Sequence, residues 1–491
     1  MESEAHSLAD QCMIAQTPIS FRENVSNQHG ATYRSSAIFY IPPTSNTVTT
    51  ISFLNYWSLK RDLKVTILAS LRELSGRLVK REELNFGDGM VINYRPSNDL
   101  NFEGSIEIEV FCLQNMVIPY AAIIAWYATT HGLTLVHSYA RSYSLHEIEQ
   151  KRTITKGREG CWTVLDTSGM RSFAVFHNGS SKVPEQELRL AVSNSEGNTI
   201  EKRFNVSALD PWQTVRIEPS QLIDDLAIFL KNAPGQAELD FELGNGFTRM
   251  LIGNERLDGS DLQVTHSNFN YSLQGTDMLE DHTAGWMAIP SLNVSSLSVR
   301  VYPQAVQGRY QVADAKSVHE FVSGETLLLM PSIADTLKFS CVSGNLPTRL
   351  VTSITINDSI HRVPNECSLG IITNLQPPKR MWWGPVRCDA QAKSELVVHD
   401  LPQVYSGLPE SESLVLRLYS AYSTTPLEVN LNGADLRKMS KGIAVEELWQ
   451  GALDFLKDAP GYYTLFCLYG GLTVYTLTRN KHQSICLEHG F

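Results

Sequence analysis

The seven residues Phe229-Leu230-Lys231-Asn232-Ala233-Pro234-Gly235 return almost unchanged as Phe455-Leu456-Lys457-Asp458-Ala459-Pro460-Gly461. The next shared landmarks, Asn254 and Asn480, follow the two glycines at the same interval. The downstream ends, Val264-Thr265-His266-Ser267-Asn268-Phe269 and Leu487-Glu488-His489-Gly490-Phe491, are also alike. A match that keeps register this far marks an internal duplication, and a duplicated chain must fold as copies of one unit.

Two fainter copies follow from the same comparison. Val136-His137-Ser138-Tyr139 repeats the His-Ser ending. Glu325 to Ser332 parallels Gln213 to Ser220, and Thr348-Arg349-Leu350 parallels Thr248-Arg249-Met250, with Cys367-Ser368 as the corresponding close. The sequence therefore predicts an N-terminal arm over 1–32 and four related units over 33–145, 160–272, 282–372 (shortened) and 380–491.

Each unit reads as β-structure. Glu187–Val192 and Glu201–Val206 alternate apolar with polar around a Gly-containing turn, and Leu63–Leu68, Met90–Tyr94 and Ser105–Val110 repeat the pattern. Short strands broken by turns about every ten residues predict an all-β fold of tandem sandwiches. One short helix is expected in units two and four, where Leu222, Leu226 and Phe229 and then Val445, Leu448, Ala452 and Phe455 fall at helical spacing.

Composition narrows the function. With 41 Lys+Arg against 52 Asp+Glu, the 491 residues carry a net charge of −11, which argues against a sequence-independent grip on nucleic acid. The first ten residues hold Glu2, Glu4 and Asp10 and no basic-then-apolar signal, so a cytoplasmic protein is expected. The longest apolar stretch, Met116–Ala128, contains Pro119 and falls short of the roughly 20 residues of a membrane span. The eight cysteines lack a C-x-x-C pair and read as free, mostly buried thiols; no cofactor motif is present.

Three sets of residues are candidates for function. The repeated positions His137, His266, Cys367 and His489 would meet on an axis and bind a metal if the units closed into a ring, although a His-Ser pair ending a strand also serves simply to bond backbone. Lys379, Arg380, Trp382 and Trp383 stand at a unit boundary, either as an open platform for a sugar or partner or as the joint between units. Arg249, Arg349 and Arg479 suit recognition of acidic groups, or a bridge between neighbouring units. No acid, base and nucleophile converge in the sequence, so it favours a non-catalytic binding or assembly scaffold. Its ligand would be a glycan or a protein partner, engaged by Trp382, Trp383, Lys379, Arg380, Arg249, Arg349 and Asn268, with homo-oligomerisation possible in principle. The alternative is a carbohydrate-active enzyme, metal-dependent or not, using His266, Asn268 and Arg249 in one diverged unit.

Overall fold

The computed structural model describes residues 33–96, 101–114, 122–150, 154–269, 284–290, 292, 294, 297–302, 308–322, 327–329, 336–344, 350–357, 362–373, 379–404 and 407–491. The arm over 1–32, Arg349 and the 374–378 segment lie outside them. The fold is nearly all β, with eight antiparallel sheets of four to six strands.

Taken along the chain these sheets come in pairs, two to each successive quarter, with one recurring strand order; of the described strands Gly246–Thr248 alone crosses over, joining Ala140–Ser142 at the edge of a first-quarter sheet. In the second quarter the eight longer strands are Ile154–Val164, Met170–His177, Gln186–Ser193, Thr199–Val206, Thr214–Ile217, Gly235–Gly244, Leu251–Arg256 and Leu262–His266, with the short Asn268–Phe269 added beside the first of them. Strands one, three, four and six form one sheet in the order four-three-six-one; the others form the second in the order five-two-seven-eight. Side chains from both sheets, among them Trp162, Phe176, Leu190, Leu239 and Ile252, fill the space between them. The alternation read in the sequence is thus the inward face of a sandwich.

The near-identical heptamers have a local reason. Each ends a helix with two consecutive left-handed residues, Lys231 and Asn232 at φ +56° and Lys457 and Asp458 at φ +49° and +62°. A side chain on the following Gly235 would run into Leu230 and the Ser193 carbonyl, and one on Gly461 into Leu456 and the Tyr419 carbonyl. Both closures require glycine.

At the place where one helix is expected in units two and four there are two short ones, and the fourth quarter carries a further helix at Gly433–Lys438. Pro219–Leu222 and Leu226–Leu230 are separated at Asp225, which sits at φ +54°, and Val445–Leu448 and Ala452–Leu456 at Gly451, at φ +82°. A left-handed residue cannot continue an α-helix, so the apolar stripe is carried by two segments. Asp224 and Asp225 consequently lie in the break, whereas Glu446 and Glu447 do occupy a first turn.

The eighth strands organise the molecule. Leu133–His137, Leu262–His266, Asn365–Gly370 and Ile485–His489 pack against one another in a closed circuit, each touching two others. Side chains lace them to their neighbours. Thr134 Oγ1 accepts from the Val264 amide (3.2 Å), Asn365 Nδ2 donates to Gln263 Oε1 (2.9 Å), Asn365 Oδ1 accepts from the Leu487 amide (2.9 Å), and Ser484 Oγ accepts from the Leu133 amide (3.3 Å). The four quarters therefore surround a common axis. The circuit closes between the fourth and first quarters through an apolar cluster that includes Ile124, Trp126, Leu133 and Leu135 with Tyr419, Tyr462, Cys486 and Phe491.

Closure explains the long apolar run. In Ile123–Ala128, Ile123, Ala125 and Tyr127 face the sandwich interior, while Ile124 and Trp126 face the fourth quarter. A strand covered on both faces has no use for polar alternation. Among the described residues, no helix is long and apolar enough to cross a membrane.

Candidate functional site

Strand pairing sets which residues reach the axis together. His137 lies opposite Ile124, His266 opposite Leu251 and His489 opposite Tyr475, each at the end of its eighth strand. The circuit of eighth strands then gathers the three imidazoles. One ligand atom from each lies within 4.8 Å of the others, and the His137 ring centroid is 4.4 Å from that of His266 and 5.3 Å from that of His489.

Cys367 does not join them. By the Thr-Arg parallel, Val351 matches Leu251, and Val351 pairs with Gly370, so Gly370 and not Cys367 stands where His266 does. Cys367 is instead part of the apolar core shared by the third and fourth quarters. A three-residue slip of register separates the similarity in sequence from the position in space.

Burial dominates the electrostatics at the axis. It holds His137 and His266 well below the usual imidazole range, with Arg249 pushing both the same way and His137 adding to the effect on His266, and lowers His489 to about 4. All three imidazoles are neutral at pH 7. Burial also raises two carboxyls, Glu488 to about 7 and Glu159 to about 8, the latter against the opposing pull of its Ser267 hydrogen bond and Arg249. Glu488 is close to two of the rings, with Oε2 3.5 Å from His137 Nδ1 and Oε1 3.7 Å from His489 Nε2.

The hydrogen bonds fix the rings. His266 Nδ1 donates to the Ser267 carbonyl (2.6 Å) and His489 Nδ1 faces the Gly490 carbonyl (3.4 Å), so both present Nε2 as the unprotonated nitrogen. His266 Nε2 and His137 Nδ1 are buried without a hydrogen-bond partner among the described residues. The serine of each His-Ser pair has a separate duty. Ser267 Oγ accepts from the Met250 amide (2.7 Å) and donates to Glu159 Oε2 (2.5 Å), and Ser138 Oγ accepts from the Ile123 amide (3.3 Å), stitching each strand end to the start of strand seven.

The other candidates are spread through the joints. Trp382 belongs to the fourth-quarter core, with Lys379 Nζ 5.8 Å from its ring centroid. Trp383 is half-buried among Tyr56, Tyr462 and Phe491, and its backbone exchanges two 2.8 Å hydrogen bonds with that of Phe491. Arg380 is exposed. Asn268 is buried between the second and third quarters, where Nδ2 donates to Ser368 Oγ (2.5 Å). Arg249 is buried ahead of its strand seven, and its amide donates to the Tyr139 carbonyl (2.8 Å). Arg479 lies instead near the far end of its own strand, opposite Ile485, so the two are not equivalent positions.

Sequence reading missed Glu159 and Glu488, which give the axis its carboxyls. Neither has a motif: Glu488 precedes His489 on its strand and meets His137 only where the fourth quarter packs on the first, and Glu159 reaches Ser267, the neighbour of His266, within the second quarter. Between the second and third quarters, a cavity of about 10 Å³ is lined by Trp162, Gln263, Thr265 and Glu366 among others, about the room for one water.

No family model matches the chain. No curated protein shows significant similarity to it. Among solved structures, a glycosyl hydrolase family 2 member from Bacteroides cellulosilyticus DSM 14838 aligns over 93% of this chain and 92% of its own at 7% identity, with a TM-score of 0.14. A superposition that loose carries no inference about chemistry.

Proposed function

We propose that the protein is a non-catalytic cytoplasmic scaffold of four tandem sandwich units, near 33–145, 160–272, 282–372 and 380–491, whose outer surfaces engage a protein partner or a glycan. The observation that carries this reading is where the polar candidates lie. His266, Asn268 and Arg249 are 2%, 1% and 7% exposed, and Trp382 and Trp383 serve a core and a joint. An enzyme using that convergence would need a substrate to reach residues sealed between quarters. All seven described cysteines are unpaired and six are buried, as suits a reducing compartment. The outermost strands, such as Leu78–Leu84 with Lys80, Arg81, Glu82 and Glu83, are charged in a way that discourages edge-to-edge pairing and leaves the sheet faces for recognition.

The test is to assay the purified chain on a panel of aryl glycosides while measuring glycan-array binding and sedimentation over a concentration range. The expected result is saturable binding or defined association without turnover. Turnover that is lost in a folded His266→Gln variant would overturn the scaffold reading in favour of the enzyme.

A further inference from the structure

We propose that His137, His266 and His489 form a site for one divalent cation of the zinc class, which staples the first, second and fourth quarters together on the axis. The donors come from three strands far apart in sequence and lie within 4.8 Å of one another. A tetrahedral zinc with Zn–N bonds of about 2.0–2.1 Å needs its donors about 3.4 Å apart, so side-chain shifts of about an ångström complete the set.

Three further observations point the same way. Two of the nitrogens, His266 Nε2 and His137 Nδ1, lie on residues 2% and 6% exposed and have no hydrogen-bond partner among the described residues, a state that is costly unless something accepts their lone pairs. The backbone carbonyls of Ser267 and Gly490 hold the Nδ1 protons of His266 and His489, the orientation that a ligating imidazole uses. Glu488 stands within 3.5–3.7 Å of two of the rings, placed to supply an oxygen as the fourth ligand. Imidazole and carboxylate together suit zinc over calcium or magnesium, which prefer oxygen alone.

The local charge permits a cation. Arg249 counts against one, and the Glu488 carboxyl, 3.5 Å from His137 Nδ1 and 3.7 Å from His489 Nε2, counts for it. Phe491 covers the cluster, its ring centroid 4.6 Å from that of His137 and 4.8 Å from that of His489. Two of the three ligands are buried and the third is one-fifth exposed, which suits a structural site.

The experiment uses the untagged full-length chain, stripped with chelator and titrated with zinc sulfate by calorimetry, with cobalt(II) as a spectroscopic stand-in. The expected result is one equivalent bound, tetrahedral cobalt absorption, and a melting temperature that rises with free zinc. His266→Gln and His489→Gln should each abolish stoichiometric uptake, and His177→Gln, a buried histidine off the axis, should retain it. His489 is the more exposed ligand, so its variant carries the test if His266→Gln fails to fold. Wild-type protein that takes up neither metal, or two folded ligand variants that still bind one equivalent, would overturn the proposal.

Discussion

Replacing Leu135 with alanine measures whether the circuit of quarters closes in solution. Leu135 is 3% exposed and belongs to the cluster in which first-quarter residues meet Tyr419, Tyr462, Cys486 and Phe491 of the fourth. Its strand neighbour Val136 points the opposite way, into the sandwich core. If the fourth quarter covers Leu135, truncation removes buried methyl groups and leaves a cavity, a loss of about 2–5 kcal/mol. If the quarters are strung out instead, Leu135 lies on an open face and the substitution costs within about 0.5 kcal/mol. The assay is chemical denaturation followed by circular dichroism, with Leu257→Ala as the control at a site 55% exposed. Leu135→Met preserves volume and should cost less than about 1.5 kcal/mol. Leu135→Ala indistinguishable from Leu257→Ala would refute closure through this interface.

Other expectations follow from buried groups. His177 is held down to about 3 by burial, between Tyr139 Oη (2.7 Å) and Thr214 Oγ1 (2.9 Å). The unfolded chain takes a proton near 6.5 that the folded one refuses, so stability is full above pH 6.5 and falls toward pH 3 by about 1.4 kcal/mol per unit. An NMR titration should find His177 still neutral at pH 5, and a midpoint near 6.5 would be inconsistent with its burial. Glu159 shows the opposite sign. With its folded value raised from 4.5 to about 8, its contribution is full below pH 4.5 and is lost as pH rises toward 8, so Glu159→Gln should flatten the wild-type stability profile over that interval. Gly235→Ala should destabilise by about 1–3 kcal/mol in a thermal or denaturant melt, because the new methyl meets Leu230 Cδ2 and the Ser193 carbonyl; a neutral result would show that the helix end can move.

The parts of the fold legible in the sequence are those with local causes. The heptamers Phe229–Gly235 and Phe455–Gly461 survive because consecutive left-handed residues and a close glycine contact demand them. Alternation in Gln186–Ser193 and Thr199–Val206 marks a hairpin whose pairing is set by its turn. What the sequence hid depends on how quarters meet. The run through Ile123–Ala128 looks merely apolar until a second covering face is known, and Trp383 looks like a platform until Tyr56 and Phe491 are placed beside it. Cys367 resembles a fourth member of the histidine set in sequence, yet strand register assigns that place to Gly370. Glu159 and Glu488 carry no local signal at all, since their character comes from burial created by other strands.

Small-angle X-ray scattering of the monomeric chain tests the central claim most directly. Four quarters packed around one axis should behave as a single compact body of 491 residues, with a radius of gyration of about 23 Å. A string of sandwiches, with the eighth strands apart, would give a far larger value and a scattering curve of separate lobes, and would contradict both the closed circuit and the sealed axis built on it.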